Sequence, residues 1–266
     1  MLVNIAGRDL RYDIVGPETA PVVCLAHALS SDSGIWAEQV PPLLAEGWRV
    51  LRLDMRGHGG SEAGPEDYSM HALANDVAEI LDFLAIPQVH FVGLSIGGMI
   101  GQTFALEHPD RLVSLMLCGT APAALEGGMA QLWAPRFEAI AAAGSVAPLA
   151  DATMVRWFTE AFQKRRPDRW RQVHQTICRT TPAGYRGGGV AIDTFDVLDR
   201  LASIRTPTLV VCGDGDTGTP PAGNRKIAEL IPGARYIELE NARHIPMVEY
   251  PDQFSRILLE WLAANR

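Results

Sequence analysis

Three residue types set far apart in this chain can together turn an alcohol into a nucleophile. Ser95 lies in Gly93-Leu94-Ser95-Ile96-Gly97, between the apolar run Val89, Phe91, Val92, Leu94 and a helix-like segment over 98–108 that stops before Pro109. A serine on so sharp a strand-to-helix corner takes up a strained backbone conformation. Side chains two residues before and after it would collide, and glycine at 93 and 97 removes the collision. Gly98 and Gly101 let the new helix lie close to the sheet. The hydroxyl then stands above the sheet edge, and the Ile96 amide points out of a helix N-terminus. A serine hydroxyl is a weak nucleophile at neutral pH, so it needs a base within reach and an acid to orient that base.

The strand ends of an open α/β sheet are where ligands bind, so the acid and base are expected after later strands. The strand-like run 206–212 leads into Gly213-Asp214-Gly215-Asp216. Asp214 follows the strand directly, in a Gly-flanked turn that it would hold. Asp216, further into the loop, is the expected orienter. The next strand-like run, 236–239, leads to His244 in a loop before the last helix. The order Ser95, Asp216, His244 suits such a sheet. The other histidines read as structural: His27 and His90 in strands, His58 in a Gly-rich turn, His71 and His174 on helix surfaces, His108 before a proline. An acyl-transfer intermediate also needs two donors for its oxyanion. Ile96 N–H is one by the geometry of the corner, and Leu29 N–H, in the loop after the run 21–28, is the best-placed second. No histidine spacing of metal-ligand type occurs, and no cofactor is called for.

The remaining elements must bring these groups to one edge. Weak alternation over 2–5 and 10–15 around Gly7-Arg8 predicts an opening hairpin. The unbroken apolar run 21–28 predicts a strand buried on both faces. Segment 36–46 reads as a helix, 48–53 as a strand, and 70–84 as a helix on the spacing of Leu73, Val77, Ile80, Leu81 and Leu84. Segment 113–118 is a further strand. From 121 to 190 the alternation stops, leaving helical, tryptophan-bearing segments punctuated by Pro122, Pro135, Pro148, Pro167 and Pro182. It resumes with strands over 206–212 and 234–239 and helices over 222–230 and 252–264. The class is α/β, a mostly parallel central sheet with helices on both faces. The core would be 1–120 and 191–266, with a helical cap inserted at 121–190.

A chain of 266 residues that is 47% hydrophobic can bury one large core. Its net charge of −8 argues against nucleic acid or an anionic membrane as partner of the whole surface. No apolar run approaches the ~20 residues of a membrane span, and the first residues do not read as a signal peptide. The four cysteines lack metal-like spacing, and a reducing cytoplasm is the expected setting. Charge is uneven: 121–190 holds nine Lys or Arg and five Asp or Glu, a net of +4 that leaves −12 elsewhere. A basic lid on an acidic body would draw an anionic small molecule, although Lys164, Arg165, Arg166, Arg169 and Arg171 read as a solvated helix face.

The segments HALSSDSGIW (27–36), DMRGHGGS (54–61), GLSIGG (93–98), GDGDTGTPP (213–221) and ARHIPMVEYPDQF (242–254) together resemble the α/β-hydrolase superfamily over nearly the whole chain. The resemblance implies Ser95 as nucleophile, Asp216 as acid, His244 as base, and Leu29 and Ile96 as the oxyanion hole. Two residues depart from the pattern: Ala28 and Arg243 stand where many members have glycine, which would reshape the pocket rim. Within the superfamily, RWFTEAF (156–162), TPAGYRGGGVAI (181–192) and CGDGDTGTP (212–220) are similar to the 3-oxoadipate enol-lactonases and related aryl esterases. That likeness implies a carboxylic ester or lactone substrate cleaved through an acyl-enzyme. Trp133, Arg156 and Trp157 are the expected substrate wall. The rival readings are a broad aryl or short-chain esterase with perhydrolase side activity, a C–C bond hydrolase, and a binding or receptor protein that keeps the fold.

Overall fold

A computed structural model describes residues 1–64 and 67–266. Eight strands form one sheet in the order β1-β2-β4-β3-β5-β6-β7-β8. Strands β1 (Leu2–Ile5) and β2 (Arg8–Val15) make the expected hairpin, turning at Ala6 and Gly7, both at positive φ. Strand β2 pairs antiparallel with β4 (Arg49–Leu53), and every later pairing is parallel. Strands β3 (Val22–Ala26), β5 (Val89–Leu94) and β7 (Thr208–Gly213) are buried at every position. That is the burial a continuous apolar run requires when helices cover both faces.

The register sets up the site. Ala26 sits beside Gly93, Leu94 beside Cys118 at the end of β6 (Leu112–Cys118), Cys118 beside Val211, and Gly213 beside Leu239 at the end of β8 (Arg235–Leu239). Parallel strands that end level deliver the loops after β3, β5, β6, β7 and β8 to a single edge.

One expected helix differs. Segment 36–46 is a 3₁₀ turn over Ser33–Trp36 followed by the short α1 (Val40–Ala45). Pro41 and Pro42 explain the late start, since proline fits only the first turn of a helix. Helix α2 (Met70–Phe83) is capped by the Ser69 hydroxyl, and α3 (Ile96–Glu107) begins directly after Ser95. Among the described residues, 121–190 contain no named strand but the helices α4 (Ala134–Ala143), α5 (Ala150–Trp157), α6 (Glu160–Arg165) and α7 (Pro167–Arg179). Helix α8 (Pro182–Asp193) runs past 190, and an isolated antiparallel bridge joins Ala123 to Asp196. The body then resumes with α9 (Pro221–Leu230), α10 (Pro246–Glu249) and α11 (Pro251–Ala264).

Lys164, Arg165, Arg166 and Arg171 are exposed, as expected of a solvated face, but two arginines of the run also make specific bonds. Arg169 makes a two-pronged ion pair with Glu38, both bonds 2.8 Å, and donates to the Gly34 carbonyl. Arg165 donates to the Glu249 carbonyl at 2.8 Å. These charges fasten the helical segment to the body. Among the described residues no helix is long and apolar enough to cross a membrane.

Candidate active site

Ser95 has φ +58° and ψ −116°, a backbone conformation costing about 1–3 kcal/mol for a residue with a Cβ. The surroundings hold it there. Its N–H donates to Cys118 O at 2.9 Å, and its carbonyl accepts from the Thr120 hydroxyl (2.7 Å), Gly98 N–H and Met99 N–H. A Cβ on Gly93 would lie 2.2 Å from Gly97 O, and one on Gly97 would lie 2.5 Å from Ala26 O. Only hydrogen fits at either place, so the glycines on both sides of the corner are a packing requirement.

Asp216 and His244 meet in the loops after β7 and β8. His244 Nδ1 lies 2.7 Å from Asp216 Oδ2, with both residues buried. The carboxylate is saturated with donors: Gly218 N–H (2.8 Å) and Thr219 N–H (3.0 Å) on Oδ1, and the Thr219 hydroxyl (2.8 Å) beside the imidazole on Oδ2. Burial alone would raise this carboxyl's pKa. The adjacent imidazole and the bonds from Thr219 outweigh burial and hold it below the usual carboxylate range. Asp214, the competing acid, is exposed on the outer side of the turn. Gly119, at φ +47°, gives the end of β6 room to pass the pair, since a Cβ there would lie 3.1 Å from Asp216 Oδ2.

The two expected oxyanion donors are the amides of Ile96 and Leu29. Ile96 opens α3 and has no carbonyl one turn back to receive its N–H. In the loop after β3, Ser30 N–H is taken by His58 Nε2 (3.1 Å) and Ser31 N–H by Ala28 O (3.0 Å). Leu29 N–H is left without a partner among the described residues. His27 and His58 act as braces. Each accepts a backbone N–H on Nε2, from Met55 and Ser30, and donates from Nδ1 to a carbonyl, of Ala28 and Arg56. Burial lowers both, His58 to about 3, and both stay neutral.

Ser95, Leu29 and His244 line one cavity of about 480 Å³. The three expected wall residues line it too. Trp157 tilts over the His244 ring at 6.2 Å between centroids. Trp133 stacks on Phe137 at 6.0 Å, with Tyr185 edge-on at 6.3 Å. Arg156 donates to Thr153 Oγ1 at 3.0 Å.

Sequence reading missed Arg136, which also lines this cavity. Its guanidinium sits 5.4 Å from the Trp133 ring, and its positive charge works against the burial that raises the Tyr185 phenol. The Trp133-x-x-Arg136 spacing on one helical turn was the available signal. Burial, and then the positive charge of Arg136, hold Arg156 below its ordinary pKa. Neither arginine has an acidic partner among the described residues, although Glu126 also lines the cavity.

Asn224 on α9 was also missed, and it has no motif. Fully buried, it accepts Thr120 N–H at 3.0 Å and donates to the carbonyls of Thr219 (2.9 Å) and Pro220 (3.2 Å). Thr120 holds the Ser95 carbonyl and Thr219 holds Asp216, so Asn224 joins the serine corner to the acid loop behind the cavity.

A strained serine between two glycines and a buried carboxylate–imidazole pair thus lie in loops at one sheet edge, the serine and the imidazole lining one cavity. The model of the α/β-hydrolase fold matches residues 21–251, and the chain belongs to that family. It is a hydrolase. It is 32% identical over 258 residues to 3-oxoadipate enol-lactonase 1 of Acinetobacter baylyi, covering 97% of this chain and 94% of the relative. The crystal structure of an enol-lactonase from Burkholderia xenovorans is similar at a TM-score of 0.94 and 36% identity, covering 99% of this chain and all of that one. A thermophilic esterase from Thermogutta terrifontis, solved with malate bound, is similar at a TM-score of 0.86 and 26% identity, covering 99% and 98%.

Proposed function

We propose that this protein hydrolyses a carboxylate-bearing lactone of the 3-oxoadipate enol-lactone type through an acyl-enzyme on Ser95. In this reading His244 Nε2 takes the proton of Ser95 as the hydroxyl attacks the lactone carbonyl. Asp216, hydrogen-bonded at Nδ1, keeps the free nitrogen turned toward the serine and stabilises the imidazolium that forms. The oxyanion is received by the amides of Leu29 and Ile96. His244 then protonates the enol oxygen as it leaves, and the enol relaxes to the ketone. A water activated by His244 frees the acid. Residues 121–190 serve as the cap, over a core of 1–120 and 191–266, and supply Trp133, Arg136, Arg156 and Trp157 as the substrate wall. The four free thiols suit a reducing cytoplasm.

The observation that carries the substrate class is the pair of arginines in the cavity wall with no acidic partner. An enol-lactone of a dicarboxylic acid consumes one carboxyl in the ring and keeps the other as a free anion. Two half-buried guanidinium groups can bind that anion in a forked arrangement, relieving their mutual repulsion. The test compares hydrolysis of 3-oxoadipate enol-lactone with that of p-nitrophenyl acetate. A kcat/KM higher by about 100-fold on the lactone is expected, the scale of a well-placed charged contact. A preference for the neutral ester would replace this reading with that of a general esterase. Ser95→Ala should remove at least about 10⁴-fold of either activity with an unchanged melting temperature.

A further inference from the structure

Arg243, one of the two departures from the family pattern, extends its side chain away from the body. Its Nη1 donates to the carbonyls of Val155 and Phe158, the latter at 3.1 Å. Between them, the Trp157 carbonyl accepts Ile245 N–H at 3.3 Å. These carbonyls belong to the C-terminal end of α5, where a helix lacks internal donors and presents the negative end of its dipole. A cation there satisfies both needs. Behind it, Arg243 N–H donates to Glu249 Oε2 at 3.1 Å, and Glu249 Oε1 accepts the N–H (2.9 Å) and hydroxyl of Thr159. The loop holding His244 is thus joined to the end of α5 on both sides of the imidazole.

Helix α5 is also the element whose inner face supplies Thr153, Arg156 and Trp157 to the cavity. Its position relative to His244 therefore sets the distance between the guanidinium that would hold a substrate anion and the atoms that attack the carbonyl. Glycine at 243 would keep the backbone bond to Glu249 and lose the grip on α5.

We propose that Arg243 is a specificity-determining positioning residue. It locks α5 to the histidine loop, so that a substrate anchored through its carboxylate places its carbonyl at Ser95. A neutral ester is anchored by no charge and is indifferent to this spacing. The inference rests on the carboxylate reading of the Arg136–Arg156 wall.

The test is the kinetics of Arg243→Met, which keeps the stem and removes the donors, and of Arg243→Lys, which restores one charged donor. With Arg243→Met, kcat/KM for 3-oxoadipate enol-lactone should fall about 10-fold, as expected when the anchored carbonyl is displaced by a fraction of an ångström from the attacking atoms. In the same variant both constants for p-nitrophenyl acetate should stay within about twofold, below the scale of a lost charged contact. Arg243→Lys should recover most of the lactone kcat/KM. Should the Met variant melt early, Arg243→Gln runs the same comparison with a neutral donor. An unchanged lactone kcat/KM would overturn the proposal, and so would an equal fall of kcat on both substrates, which would place the effect on His244. Adding Arg243→Met to Arg156→Met should lower the lactone kcat/KM little further, because both act through one anchor, and additive effects count against the proposal. If Arg156→Met and Arg136→Met together leave the lactone preference intact, the carboxylate reading itself has failed.

Discussion

The two walls of the cavity are built by different means. On the body side the reacting groups sit on loops that leave level strand ends, held by backbone hydrogen bonds and by glycines that no other residue can replace. On the helical side Trp133 and Arg136 stand at the start of α4, Arg156 and Trp157 at the end of α5 and Tyr185 in the first turns of α8, held by ring stacking, a cation over an indole and a side-chain hydrogen bond. Under the proposed function the first wall carries the reaction and tolerates little change, while the second selects what enters and is open to change residue by residue.

The sharpest way to break this contrast is on the body side. Asp216→Asn should lower kcat by about 10⁴-fold, because the imidazole loses the partner that fixes its tautomer. Asp214→Asn, on the exposed side of the same turn, should leave kcat unchanged. Equal losses in both would show that the loop, and not the carboxylate, matters. On the helical side, replacing Arg136 and Arg156 together with methionine should collapse the ratio of kcat/KM between carboxylate-bearing lactone and neutral ester by about 100-fold, mostly through KM. A loss confined to kcat would mean that this wall takes part in the chemistry.

Asn224→Ala tests the join behind the cavity. It leaves a buried amide of Thr120 without an acceptor, and kcat should fall about 10- to 100-fold with KM little changed, the range for a small misplacement of catalytic groups. Unaltered kcat with a lowered melting temperature would make Asn224 purely structural. The smallest expected effect is on stability against pH. His58 is lowered to about 3 and His90 to about 4, by burial first and then by a neighbour, the His27 imidazole and the Arg266 guanidinium respectively. Both are neutral in the fold, whereas the unfolded chain takes up their protons below about pH 6.5. Their contribution is complete above that pH and is lost as the pH falls toward 4 and 3, at up to about 1.4 kcal/mol per pH unit for each histidine. His58→Asn should flatten the fall of melting temperature between pH 6.5 and 4. A slope equal to that of the wild-type protein would remove His58 from this account.

How legible each wall was in the sequence follows from how it is built. Ser95 and its glycines could be read because a strand-to-helix corner imposes a local steric rule, now visible in the 2.2 Å and 2.5 Å approaches that added Cβ atoms would make. Asp216 and His244 could be read because a parallel sheet brings its loops to one edge whatever the loops contain. The helix expected over 36–46 is shorter in the structure, because Pro41 and Pro42 fit only its first turn. Asn224 could not be read: its role lies in accepting the amide of Thr120, 104 residues away. Arg165 and Arg169 looked solvated because a partner such as Glu38, 131 residues upstream of Arg169, is invisible to local patterning.

The sequence by itself therefore determined the sheet, the strained Ser95 corner and the loops that bring Asp216 to His244, because each follows from backbone geometry at the ends of parallel strands. Only the tertiary structure decided which of nine cations in 121–190 face the cavity, and that Arg243 reaches α5. Those outcomes depend on which side chains meet after helices of similar composition have packed, and packing is a property of the whole chain.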